Sequence, residues 1–132
     1  MDTTFSSFAS LCTSLESTTK RLKKRRAIAA FLRSLSVDEV PTAVSFLLGR
    51  PFPESDERVL ELGGAALWRL PPQRQTALVS APLTLKEIQR YFDAIAGASG
   101  AGSRVKKEAL IDGLLGRASA SEAGYIFRII AG

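Results

Sequence analysis

The chain has 132 residues, of which 45 % are hydrophobic, and carries 18 lysines and arginines against 13 acidic residues. This length fits one domain with a modest core, and the hydrophobic content excludes wholesale disorder. A single cysteine and the absence of histidine exclude an internal disulfide framework and the usual zinc and Cys-His sites, while the net charge of +5 favours nucleic acid or an anionic membrane as partner.

Apolar residues at helical spacing predict two helices near the N-terminus, over residues 4–16 and 20–35. The apolar face of the first helix consists of Phe5, Phe8, Leu11, Cys12 and Leu15. The face of the second consists of Leu22, Ile28, Ala29, Phe31, Leu32 and Leu35. Cys12 is therefore interpreted as a small core residue rather than a reactive thiol.

The second helix opens with six cations, and positive charge at this end of a helix opposes the macrodipole. These cations are Lys20, Arg21, Lys23, Lys24, Arg25 and Arg26. An anion bound to Thr18, Thr19 and the first free amides would offset that cost. The alternative is a solvated basic face.

Further capping motifs predict the remaining helices. Ser36 and Glu39 open a third helix that ends at Gly49, and Thr84 and Glu87 open another over residues 84–96. The apolar residues of the third helix are Val40, Val44, Phe46 and Leu47. Residues 57–70 read as a helix with Trp68 inward, although its two consecutive glycines also fit a turn before a short helix. Residues 73–82 read as irregular chain or a single helical turn. Because no alternating strand pattern occurs, we predict an all-α, compact bundle of about seven or eight helices in a single domain, residues 1–132.

A glycine-rich loop, residues 99–103, leads directly into a basic helix. Glycines let the backbone approach a phosphate, and the free amides of the helix donate to its oxygens. The candidate ligands are Ser99, Gly100, Gly102, Ser103, Arg104, Lys106 and Lys107. The order of residues excludes a Walker A loop. A flexible interhelical loop is the alternative.

The two basic helix starts belong to an internal repeat. Residues 21–49 align with residues 104–132 at a constant offset of 83 positions, and eight of the 29 positions are identical. This predicts a pseudo-twofold arrangement, although shared helical patterning would also explain it. Two phosphate cradles in one domain favour a grip on two backbone segments of a duplex, largely independent of sequence. A footprint of about five phosphates predicts a log-log salt slope near −4.5.

Several stretches resemble the N-terminal DNA-binding domain of ATP-dependent DNA ligases, particularly the bacterial type. They are SGAGSRVKKEALIDGLLGRASASEAGYIFRIIAG, TTKRLKK, LLGRPFPE and LGGAALWRLPP. The resemblance covers essentially the whole chain. It implies contacts to nicked double-stranded DNA by two groups of residues: Thr18, Arg21 and Lys24, and Gly100, Gly102, Ser103 and Lys107.

The resemblance also implies a larger enzyme with nucleotidyltransferase and OB-fold domains, which uses ATP and Mg²⁺. The adenylation motif Lys-x-Asp-Gly is missing, because Leu110 precedes Ile111, Asp112 and Gly113 where lysine is required. We therefore expect a non-catalytic, excised domain without a cofactor of its own. An insertion of the larger members, between Trp68 and Thr84, is reduced to a short Pro-rich piece.

We expect a monomer that works with a catalytic domain in cis, in DNA repair, replication and recombination. The chain has no apolar run long enough to span a bilayer and no signal peptide, so we expect a cytoplasmic, nucleoid-associated protein. One alternative is a helical protein-interaction module with an incidental basic face. Another is a membrane-surface binder that uses residues 20–26.

Overall fold

The computed structural model describes residues 2–60, 62 and 82–131. They form six α-helices and one 3₁₀ helix: α1 (Phe5–Glu16), α2 (Arg21–Ser34), 3₁₀ (Val37–Glu39), α3 (Val40–Leu47), α4 (Leu85–Gly97), α5 (Ser103–Gly116) and α6 (Ala120–Ala131). Within these ranges no strand occurs, which confirms the all-α class, and no helix is long and apolar enough to cross a membrane.

The starts of α1 and α4 are tied together by two backbone hydrogen bonds. The amide of Phe5 donates to the carbonyl of Leu83 at 2.7 Å, and the amide of Leu85 donates to that of Thr3 at 3.0 Å. Thr4 and Thr84 then cap their helices, accepting from amides three residues on at 3.2 and 3.1 Å. Two predicted helix starts are thereby fixed to each other.

An aromatic cluster joins the first half of the chain to the second. The rings of Phe5, Phe8, Phe46 and Phe92 lie 5.1 to 6.4 Å apart between centroids, mostly edge to face, which is a favourable geometry. Helix α1 packs against α2 and α6, and α4 packs against α3 and α5. The second half adds fully buried aliphatic side chains: Ile88, Ile95, Ile111, Leu114, Leu115, Ile126 and Ile129.

The two copies of the sequence repeat share one local structure. After the shift of 83 positions, the bounds of α2 match those of α5, and the bounds of the 3₁₀ and α3 unit match those of α6, to within one residue. The glutamate of each Ser-x-x-Glu motif accepts from the serine amide, at 3.0 Å in Glu39 and 2.8 Å in Glu122. Gly49, with φ of 74°, closes α3 in the left-handed conformation predicted for a terminal glycine.

Three expectations about helix faces and extents were wrong. Leu22 is 65 % exposed and Val44 is 37 % exposed, although both were assigned to apolar faces. The helix predicted over residues 57–70 does not begin at residue 57, because residues 57–60 are not helical. The remainder of that prediction, including Trp68, lies outside the described residues, apart from Leu62. So do residues 73–81 of the stretch 73–82 that was predicted as irregular chain or one helical turn.

Arg58 holds the irregular segment of residues 50–60 against the bundle. Its guanidinium lies 4.3 Å from the ring centroid of Phe52 and forms ion pairs with Asp56 at 2.8 Å and with Asp93 of α4 at 3.0 Å. Phe52 and Asp56 belong to the irregular segment itself, whereas Asp93 lies on α4. Arg58 therefore ties the segment to that helix.

Cys12 is half-buried, and burial together with the nearby Glu16 carboxylate raises its pKa to about 11. The thiolate is the reactive form, so at pH 8 we expect iodoacetamide to modify Cys12 about 100-fold more slowly in the folded chain than in urea. Alkylation followed by mass spectrometry measures both rates. Equal rates would show that the thiol is not shielded.

Candidate nucleic-acid interface

The basic segment, residues 20–26, presents cations that no carboxylate of the chain neutralises in the described residues. Lys20, Arg21, Lys23, Arg25 and Arg26 are exposed, whereas Lys24 is half-buried. The ion pairs recorded within the described residues involve other cations, such as Lys86 with Asp38 at 2.7 Å. Five of its six cations are therefore exposed at the surface without a carboxylate partner among the described residues.

The first amides of α2 are open to an anion. The first helical hydrogen bond runs from the amide of Lys24 to the carbonyl of Lys20 at 3.1 Å, so the preceding amides have no place in the helical ladder. No side-chain cap and no acidic residue lie in the first turn. Thr19 is exposed, and the half-buried Thr18 accepts the amide of Lys20 through Oγ1 at 3.2 Å, which leaves its hydroxyl proton available.

The glycine loop, residues 99–103, turns the chain into α5 through two left-handed glycines. Gly100 and Gly102 have φ of 83° and 80°, a region that residues with a Cβ avoid, and the amide of Ser103 donates to the carbonyl of Gly100 at 3.2 Å. Ser99 and both glycines are exposed, and Ser103 is half-buried. The loop therefore offers accessible backbone at the start of a helix.

The opening of α5 resembles that of α2 in its charge and in its missing cap. Its first helical hydrogen bond runs from the amide of Lys106 to the carbonyl of Gly102 at 3.1 Å, and neither a side-chain cap nor an acidic first-turn residue is present. Lys106 is exposed. Arg104, whose side chain is 63 % exposed, pairs with Glu108 one turn later at 3.4 Å, a contact that water screens.

Lys107 is placed differently from the other candidates. It is only 6 % exposed, and its ammonium donates to the carbonyl of Leu60 at 2.9 Å. It thus links α5 to the irregular segment that Arg58 anchors, and in this conformation it is not accessible to a phosphate. Lys24, its counterpart in the first repeat, is half-buried. The structure therefore does not place the Lys107 ammonium where the predicted phosphate contact requires it.

Replacing Lys107 by methionine tests this structural assignment. The substitution keeps much of the packing volume but leaves the buried carbonyl of Leu60 without its donor, so we expect a loss of about 1–3 kcal/mol in the free energy of unfolding. Lys106→Met, one residue away and exposed, is the matched control and should change it by less than about 0.5 kcal/mol. Urea denaturation monitored by circular dichroism measures both, and equal losses would contradict the assignment.

The predicted site residues thus lie in two groups, and Lys107 belongs to neither because it is buried. Residues 18–24 surround the start of α2, and residues 99–106 surround the start of α5, at equivalent places of the repeated unit. A cavity of about 370 Å³ is lined by residues 50–54, 56 and 58–60 together with Leu62 and Ile130, and none of the predicted site residues lines it. The candidate interface is a surface, not a pocket.

The single Asp-Gly pair does not form a nucleotide site. Asp112 and Gly113 lie in the interior of α5, both exposed, and Leu110 occupies the position that the adenylation motif requires for lysine. These residues do not fit ATP. Among the described residues no group of three or more acidic, histidine or cysteine side chains is arranged to hold a metal ion.

Comparison with known proteins identifies related chains. The family model for "DNA ligase N terminus" matches residues 4–71 and 72–132. A DNA ligase of Methanocella arvoryzae is 37 % identical, covering 92 % of this chain and 27 % of that ligase. A probable DNA ligase of Koribacter versatilis and DNA ligase 1 of Korarchaeum cryptofilum are each 32 % identical, covering 94 % of this chain and 26 % and 27 % of those proteins.

The chain spans about a quarter of the length of these curated relatives. The specifically bacterial type is not confirmed, because archaeal ligases are among them. The alignment with the Methanocella ligase runs over 154 positions, so that relative carries additional residues inside the aligned region. The two stretches matched by the family model meet between Pro71 and Pro72, within the region where the sequence indicated a missing insertion. The chain belongs to the DNA ligase N terminus family.

Proposed function

We propose that this domain grips duplex DNA around a nick through its two basic helix starts, without catalysing a reaction itself. The observation that carries the proposal is the repeated opening of α2 and α5, each uncapped, free of acidic first-turn residues and flanked by exposed cations. Backbone amides and cations of this kind bind phosphate oxygens. Because the chain belongs to a DNA ligase family, the anion that these groups would bind is the sugar-phosphate backbone of DNA.

Binding of this type does not depend on base sequence. The candidates are backbone amides, hydroxyls, lysines and arginines, and none of the described residues forms a base-reading helix of asparagine, glutamine and arginine in the manner of sequence-specific proteins. Affinity then comes mainly from release of counterions. The domain holds the duplex while the remainder of the longer ligase, using ATP and Mg²⁺, adenylates and seals the break, in the cytoplasm and in association with the nucleoid.

A salt titration tests the proposal. Fluorescence anisotropy of labelled nicked and intact duplexes should give affinities that fall steeply with salt, with a log-log slope near −4.5 for a footprint of about five phosphates. Vesicles containing phosphatidylserine are the matched anionic competitor, and we expect them to displace little of the DNA. Salt-independent binding, or equal binding to vesicles, would contradict a DNA-binding role and favour the membrane-surface alternative.

One observation favours the second candidate function, a protein-interaction module. Val37, Pro41, Val44 and Leu48 follow one another at helical spacing and are all exposed, Leu48 by 67 %. Such a stripe is typical of a surface that another protein covers. If the chain with Arg21→Ala and Lys24→Ala bound duplex DNA as well as the unaltered chain does, the basic segment would not carry the function, and this apolar stripe would be the better candidate.

A further inference from the structure

One exposed apolar side chain lies in each of the two basic openings, which are residues 18–24 at the start of α2 and residues 99–106 at the start of α5. Leu22 is 65 % exposed and Val105 is 71 % exposed, and the two residues occupy the same position in the two copies of the repeat. Each has a cation on both sides, Arg21 and Lys23 in one copy and Arg104 and Lys106 in the other. The sequence placed Leu22 on a core face and did not single out Val105.

Internal packing does not explain these two residues. Other equivalent positions of the repeat, Ala43 with Ile126 and Phe46 with Ile129, are buried in both copies. The repeated unit therefore buries apolar residues where it packs, and it leaves the position of Leu22 and Val105 in solvent in both copies. Full removal of an apolar side chain of this size from water is favourable by about 1.5–3 kcal/mol in free energy. Contact of these two side chains with a partner molecule would therefore stabilise a complex.

We infer that Leu22 and Val105 rest against the deoxyribose faces that line the minor groove of the bound duplex. This inference rests on the proposed function. The walls of the minor groove are formed by sugar C–H groups, with phosphates along both rims. An apolar side chain between two cations matches that order, because the cations reach the phosphates while the apolar group covers the sugar.

The charge around other exposed apolar residues does not match DNA in this way. Val37 is 89 % exposed, but it lies between Ser36 and Asp38, and the Asp38 carboxylate would repel phosphate. Exposure alone therefore does not define the proposed contact. The combination of exposure, flanking cations and repetition does.

A contact with sugars contributes affinity that salt does not screen. Replacement of Leu22 and Val105 by serine leaves every charge in place, so we expect the log-log salt slope to stay the same while the affinity falls about tenfold at every salt concentration. Val37→Ser is the matched control and should bind as the unaltered chain does. Because all three side chains are exposed, thermal unfolding should be unchanged.

The outcomes separate this inference from the proposed function. If the unaltered chain shows salt-dependent binding of duplex DNA and the Leu22→Ser, Val105→Ser variant binds equally well, the sugar contact is refuted and the DNA grip stands. If the unaltered chain does not bind duplex DNA, both fail. A smaller salt slope in the variant would also refute the inference, because it would show that phosphate contacts were disturbed.

The groove itself is identified by nuclear Overhauser effects between protein methyl groups and DNA protons. We expect contacts from the methyl groups of Leu22 and Val105 to the sugar H1′ and H4′ protons, which face the minor groove. Contacts to thymine methyl groups, which face the major groove, would overturn the assignment.

Discussion

Removing Arg21 and Lys24 together is expected to weaken binding to duplex DNA on the order of 50-fold at 0.1 M salt. Each lost phosphate contact reduces the log-log salt slope by about 0.9, so two contacts account for a change of about 1.8 in the slope and for the loss of affinity. Arg21→Ala with Lys24→Ala should therefore show both effects at once in an anisotropy titration. The difference in affinity should shrink as the salt concentration approaches about 1 M, whereas the difference in slope should hold over the whole titration.

The matched control keeps the same change in net charge but places it elsewhere. Arg33 and Arg90 are exposed, and Arg33 lies on the same helix α2, at its other end. Replacing both by alanine should reduce affinity by less than about threefold, since only the long-range field is altered. If the two double variants bound equally weakly, net charge and not the basic segment would explain the binding.

The second repeat supplies an independent copy of this prediction. Arg104→Ala with Lys106→Ala removes the exposed cations at the start of α5 and should lower the slope by up to about 1.8, less if the Glu108 contact keeps Arg104 from phosphate. Lys107 is left unchanged, because its buried ammonium supports the fold. In a variant that also replaced Lys107, a loss of DNA binding could not be distinguished from a loss of stability.

Glu39 is expected to be the most sensitive polar position for stability. Its side chain is 1 % exposed, and it accepts the amide and hydroxyl of Thr3 at 2.8 and 3.0 Å and those of Ser36 at 3.0 and 2.8 Å. Glu39→Ala leaves these donors without an acceptor, so we expect a loss of about 3–5 kcal/mol in the free energy of unfolding. Urea denaturation measures the loss.

Glu122→Ala is the matched control, because Glu122 holds the same capping position in the other copy of the repeat. There the recorded acceptor contact is with the amide of Ser119 at 2.8 Å. We expect it to cost about 1 kcal/mol, the usual magnitude for a helix cap. Equal losses in the two variants would show that Glu39 acts as an ordinary cap.

The ionisation of Glu39 gives the prediction a pH signature. Burial raises its pKa, but the hydrogen bonds from Thr3 and Ser36 outweigh burial and hold the pKa below its ordinary value. A carboxyl whose pKa is lowered by folding stabilises the fold above the unfolded pKa and loses that contribution as the pH falls through the folded pKa. The stability difference between the native chain and Glu39→Gln should therefore shrink below about pH 4.3.

The sequence predicted those features that local chemistry determines. Capping motifs at Thr84 and Ser36, helical periodicity and the terminal Gly49 placed most of the described helices correctly, because each signal acts within a few residues along the chain. The sequence also predicted the basic starts of α2 and α5, because the cations follow one another in the chain and no acidic residue stands among them.

The sequence could not predict features that depend on distant partners. Lys107 lies in a basic run, and only the folded chain brings the carbonyl of Leu60 to its ammonium. Leu22 fits a helical stripe in the sequence, but in the folded chain its side chain is 65 % exposed, because no other element of the described chain packs over it. Glu39 was predicted as a cap. Its contact with Thr3 spans 36 residues of sequence and ties the N-terminal end of the chain to the 3₁₀ helix.

The measurement that tests the central claim most directly is an NMR titration of the ¹⁵N-labelled chain with a short nicked duplex. If one duplex is gripped by both basic openings, the amides of residues 18–24 and 99–106 should shift together, with one dissociation constant and a stoichiometry of one to one. Shifts confined to one group, or two separate isotherms with different affinities, would contradict the account.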